Sequence, residues 1–292
     1  WTGEALWRFE LQSEDVERAL YGTPTVVDGT VYVGGYDGVL YALTTDGELM
    51  WQERLGGAIV GGPLVVDNMI LVGSSDGYMY AIDIQDQTRQ WRFLTGHKVW
   101  STPAVADGVV YFGSLDHNLY AVNLEDGAEL WHFKTRGAVV AQPVVSGGRV
   151  HIGSFDGVFY AVDVDSGDEV WRFDGSSNWY WANAIAVEEL IYAPSLDGTL
   201  YALEIDTGEL RWTLKTEGAI IGSPVVVHDM IAVPSTDGKI RLARLRDGSE
   251  RDACNVGDDI RASLVEHDGS LYFGMRDRSI RALRIKTSGN PD

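Results

Sequence analysis

Cysteine is almost missing from this 292-residue chain: Cys254 stands alone, so no internal disulfide can form. No apolar run approaches the ~18 residues a membrane-crossing helix needs. The six histidines, His97, His117, His132, His151, His228 and His267, are dispersed without metal-ligand spacing. No nucleophile motif and no phosphate-cradling glycine loop occurs. Positive charge is scarce: 23 Lys and Arg face 43 Asp and Glu, a formal net charge of -20, and only five of the basic residues are Lys. Such a balance repels nucleic acid and anionic lipid and makes both poor partner candidates. Few lysines beside dense carboxylates also point to a salt-adapted source. The chain opens on Trp1 rather than Met, from which we expect a processed N-terminus that has lost a targeting segment and with it a lipid or membrane anchor.

Glycine, in contrast, is plentiful at 34 residues and punctuates short apolar runs, the pattern of an all-β fold. An internal period organises the whole chain. Tyr41, Tyr80, Tyr120, Tyr160 and Tyr201 sit in the near-identical contexts LYAL, MYAI, LYAV, FYAV and LYAL, and Arg241 and Arg281 take the same place in IRLA and IRAL. The spacings are 39, 40, 40, 41, 40 and 40, which makes seven copies. Each copy reads as four short strands. In the stretch from Thr102 to Phe133 these are the run after Pro103, Val109 to Gly113, Asn118 to Val122, and a strand around Trp131. An Asp marks the turn between the second and third strands of every copy: Asp37, Asp76, Asp116, Asp156, Asp197, Asp237 and Asp277. These are read as turn residues, one per copy and too far apart to share an ion.

The fourth strands carry Trp51, Trp91, Trp131, Trp171 and Trp212, four residues after the turn glycine or its equivalent; the sixth copy has Asp252 there. The seventh copy lacks a fourth strand after Ile285, but TGEALW at the N-terminus keeps the same step from Gly3 to Trp7 as TGELRW from Gly208 to Trp212. Residues 1–11 are therefore expected to complete the last blade (262–285) of a single seven-bladed β-propeller spanning 1–292, leaving no open sheet edge. The pattern P-x-V-x-x-G-x-V-Y-x-G-S-x-D-G-x-L-Y-A-L, continued by T-G-E-x-x-W-x-F, resembles the repeat of the pyrroloquinoline-quinone (PQQ)-like propellers, most closely their BamB-like group. The resemblance covers nearly the whole chain. It implies a rigid ring locked by tryptophans, and an extracytoplasmic setting such as a periplasm or cell surface. The Gly-His and Trp-Asp signatures of WD40 propellers are absent.

With seven internal copies to compare, departures from the common pattern mark candidate sites. In the connection leading to each first strand, Gly57-Ala58, Gly137-Ala138 and Gly218-Ala219 contrast with Arg18-Ala19, His97-Lys98, Asn178-Trp179 and Asp258-Asp259. Two residues further on, Val60, Val140 and Ile221 become Trp100, Trp181 and Arg261, and just before the first strand Gln142 and Asn183 replace small residues. Together with Arg136, the residues His97, Lys98, Trp100, Gln142, Asn178, Trp179, Trp181, Asn183 and Arg261 are the candidate surface for a protein or peptide partner. Two readings stay open, a binding pocket or bulky side chains plugging a channel. No catalytic residue and no metal ligand is assigned, and no cofactor is expected. The expectation is a monomeric, non-enzymatic binding or assembly scaffold. The resemblance also implies a quinone-dependent dehydrogenase holding PQQ with calcium, against which the single cysteine and the blade number speak. A ligand-sensing part of a larger receptor or kinase is a third reading.

Overall fold

Each repeat folds around one carboxylate. In the second copy, Asp76 Oδ1 accepts the Tyr78 amide at 3.0 Å and Asp76 Oδ2 accepts the Tyr80 hydroxyl at 2.6 Å. The turn is thereby fastened to the strand that follows it. The hydroxyl bond recurs from Tyr41 to Asp37, Tyr120 to Asp116, Tyr160 to Asp156 and Tyr201 to Asp197, at 2.6–2.8 Å. Burial, and then the Asp76 carboxylate, push the Tyr80 phenol up to about 12, so it stays a donor throughout the physiological range. Where Arg replaces Tyr, the guanidinium takes over: Arg241 lies 2.7 Å from Asp237, and Arg281 lies 3.0 Å from Asp277. The turn aspartates are thus structural anchors. His117 replaces a turn glycine and adopts its left-handed backbone, with φ 76°.

The computed structural model describes residues 6–10, 19–277 and 279–285, and among them strands are the only regular elements. Thr25–Val27, Thr30–Gly34, Val39–Thr44 and Leu49–Arg54 pair antiparallel in sequential order as the first sheet. The third repeat forms Ala104–Ala106, Val109–Gly113, Asn118–Asn123 and Glu129–Lys134, as its sequence predicts. In all there are six four-stranded sheets and a seventh of three strands, Val265–His267, Ser270–Gly274 and Ile280–Arg284, among the described residues. The fold is a seven-bladed β-propeller. The outer strand expected over residues 1–11 falls partly outside the described residues (1–5 and 11), and residues 6–10 carry no strand.

Tryptophans lock one repeat onto the turn of the next. The Trp91 indole donates to the Leu124 carbonyl at 2.8 Å, Trp171 to Ile205 at 2.9 Å and Trp212 to Leu245 at 3.0 Å. Each ring lies flat on a glycine. A Cβ on Gly127, Gly208 or Gly248 would come within 2.4–2.7 Å of it, closer than atoms pack. Trp7 makes the same lock, donating to the Thr45 carbonyl at 2.7 Å over Gly47. Contacts gather the chain into two compact units, Trp1–Val145 with Asp165–Gly167, and Ser146–Val164 with Asp168–Asp292. In both, the second and third strands of the sheets supply the core, with Tyr32, Leu40, Ile70 and Ile82 in the first unit and Tyr192, Leu200, Ile231 and Val233 in the second.

Candidate functional site

In five repeats the connection into the first strand lies against the turn after the second strand. The Ser75 amide donates to the Ala58 carbonyl at 2.8 Å, Leu115 to Lys98 at 2.9 Å, Leu196 to Trp179 at 2.9 Å and Thr236 to Ala219 at 3.0 Å. This ladder places the candidate residues beside the residue that precedes each turn aspartate.

In the first unit three of them, neighbours in sequence, stand together. Lys98 Nζ stands 5.6 Å from the Trp100 ring centroid, a cation–π contact. Trp100 is half-buried, and its indole donates to Ser75 Oγ at 3.0 Å. His97 is exposed, and its Nδ1 accepts the Lys98 amide at 2.9 Å. Arg136 is also exposed. Gln142 turns to the protein itself, its amide donating to the Pro103 carbonyl at 3.1 Å.

The second unit carries the more unusual arrangement. Phe155 stacks on Trp179 with ring centroids 4.7 Å apart and planes 8° from parallel, and on Trp181 at 5.5 Å and 25°. Three aromatic rings thus form one layered group. Trp179 remains 49% exposed and Trp181 38% exposed. Neither indole N–H has a hydrogen-bond partner among the described residues. Between them Tyr180 points inward, 1% exposed, where other copies hold Ile59, Val99 or Ile220; burial pushes its phenol far above the usual range. The buried ring between two exposed ones fixes the turn that presents them. Ser176 Oγ, 2.8 Å from the Asn178 carbonyl and 3.1 Å from Asp197 Oδ2, braces the same loop. Asn178 Oδ1 accepts the Trp179 amide at 2.8 Å, and the Asn183 amide donates to Ser223 Oγ at 3.0 Å.

Arg261 does not join a cationic patch. Its Nε is 2.8 Å from Asp259 Oδ2, and Arg276 also approaches that oxygen at 3.9 Å. The Arg261 guanidinium holds the Asp259 carboxyl below the usual carboxylate range. Phe155 was not among the residues singled out from sequence. Its signal was weak: the position holds Ser75, Leu115, Leu196, Thr236 and Arg276 in other copies, but also the aromatic Tyr36 in the first.

The same residues answer whether a calcium-bound quinone would fit the second unit. Trp179 and Trp181 stack on Phe155, Asn178 caps its own turn, and Asp259 is paired with arginine. Among the described residues no three His, Cys, Asp or Glu side chains converge as a metal-ligand set. This donor set does not fit the group.

The family model described as "Outer membrane protein assembly factor BamB" matches residues 1–99, 95–180 and 179–251. BamB from Moraxella catarrhalis superposes with a TM-score of 0.78 at 20% identity, over 92% of this chain and 86% of that one. The computationally designed Ika8 protein superposes with a TM-score of 0.68 at 15% identity, over 93% of this chain and 98% of its own. Both likenesses concern the fold. No curated protein matches the chain.

Proposed function

Because the chain belongs to the family of the outer membrane assembly factor BamB, we propose that it is a non-enzymatic, extracytoplasmic scaffold that binds a protein partner and needs no cofactor. The observation that carries this reading is the stack of Trp179, Phe155 and Trp181. Rigid, half-exposed aromatic rings with free N–H donors are what interface anchors consist of: large apolar area, little entropy to lose, and a polar edge. A side chain serving only to fill space would be covered by its neighbours, whereas Trp179 is half open. The cationic pair of Lys98 with Trp100 offers a second, separate contact of similar chemistry.

The test replaces Trp179 with Ala, the residue at that position in Gly57-Ala58, and Trp181 with Val, as in Val60 and Val140. Both changes are borrowed from other blades, so the fold should persist. Pull-down with the parent protein should retain a partner that the double variant loses, with a weakening of ~2 kcal/mol or more. Equal recovery by both proteins would make the rings plugs. Added PQQ and calcium should leave the absorbance spectrum a simple sum; a new bound-quinone band would contradict the cofactor-free reading.

A further inference from the structure

The sixth repeat carries Asp252 where the tryptophan lock should stand. In the other repeats that indole lies over the next turn, and Trp91 and Trp171 are each only 8% exposed. Here every residue of the strand Glu250–Asn255 is exposed. Beside it lies a cavity of about 680 Å³, whose lining among the described residues belongs to the second unit. That volume lies within the range of small-molecule sites. The family match also ends at residue 251, one residue before the missing indole.

The cavity has two kinds of wall. Leu242, Leu271, Leu283 and Ile285 provide an apolar lining, and Arg244, Arg251 and Arg284 provide three guanidinium groups. None of these arginines forms an ion pair within 4.0 Å among the described residues, and only Arg244 acts on a carboxylate at longer range, that of Asp247, although Asp and Glu outnumber Lys and Arg by 43 to 23 in the chain. Asp229 and Asp252 also line the cavity, so the guanidinium groups exceed the carboxylates by one. A site where a -20 chain leaves three arginines without a close salt bridge attracts an anion, and bidentate guanidinium geometry suits a carboxylate. The space opened by the absent indole, walled by leucine and isoleucine, suits a flat aromatic body.

We propose that this cavity binds an aromatic carboxylate, its ring against Leu242, Leu271 and Leu283 and its carboxylate on Arg244, Arg251 and Arg284. The site is independent of the Trp179 surface.

The probe is indole-3-propionate, with tryptamine as the same ring bearing a positive charge. Cys254 lines the cavity and is exposed, so its alkylation by N-ethylmaleimide reports occupancy. Indole-3-propionate should bind saturably in calorimetry and slow Cys254 alkylation at least fivefold, while tryptamine should do neither. Asp252→Trp, which returns the protein's own indole, should abolish binding. Arg244→Gln with Arg284→Gln should weaken it at least tenfold, and this pair decides the matter if Asp252→Trp does not fold. Absence of saturable binding, equal binding of tryptamine, or binding undiminished in the arginine variant would each overturn the proposal.

Discussion

At the scale of single residues, His151 shows how one side chain ties stability to pH. Four other repeats place Tyr32, Tyr111, Tyr192 and Tyr272 at its position. His151 is fully buried, its ring 5.5 Å from that of Trp171 and a ring nitrogen 3.3 Å from the Ser146 carbonyl. Burial lowers its pKa from 6.5 to about 4, against the opposing pull of the Ser146 carbonyl. The unfolded chain therefore takes up a proton near pH 6.5 that the folded chain refuses until about pH 4. This contribution to stability is complete above pH 6.5 and is lost progressively as the pH falls towards 4. Between pH 7 and 5 it amounts to about 2 kcal/mol. His151→Tyr should flatten that part of the profile, as measured by urea unfolding at the two pH values. An unchanged slope would mean the imidazole is charged in the folded protein.

At the scale of elements, the tryptophan lock joins strand to turn. The indole N–H satisfies a carbonyl at the turn, the ring covers the glycine, and the glycine must be bare for the ring to lie flat. Trp7 repeats this geometry on Gly47 although residues 6–10 form no strand. The lock is therefore carried by the side chain and the turn. We propose that the N-terminal segment completes the last blade, with Trp7 as its fastening. Trp7→Ala should then lower stability by about 2 kcal/mol, less than a fully buried tryptophan would cost, because this ring is 39% exposed. Thermal unfolding checks it, and a melting temperature equal to the parent's would show that the segment adds nothing.

At the scale of the whole molecule, the net charge of -20 dominates. Most arginines that pair do so at the surface, as Arg89 with Glu53 and Arg149 with Asp206, and such pairs contribute little each. The surplus carboxylates repel one another until salt screens them, over a length of about 10 Å at 0.1 M and 3 Å at 1 M. We propose adaptation to high salt. The melting temperature should climb steeply from low to molar KCl; a flat curve over that range would remove the salt-adapted reading.

What could be read from sequence was whatever repeats or acts locally. The 40-residue spacing, the turn aspartate four residues before Tyr or Arg, and the glycine-to-tryptophan step are short-range patterns, each tied to one turn or one hairpin. They were enough for the blades, and the oddity of Trp100, Trp179 and Trp181 was visible because neighbouring copies hold smaller groups. The tertiary structure decided which of these residues meet. Phe155 lies 24 and 26 positions before the two indoles it stacks on, and the backbone bond from the Tyr180 amide to the Ser154 carbonyl, 3.3 Å long, holds the two segments together. Arg261 and Asp259 are only two positions apart, but that their side chains pair at 2.8 Å is settled by the folded connection. The missing indole at Asp252 was plain in the sequence, but a missing side chain has no location until its neighbours stand around the space. Leu242, Leu271 and Leu283 belong to different strands, and packing alone sets them and three arginines about one cavity.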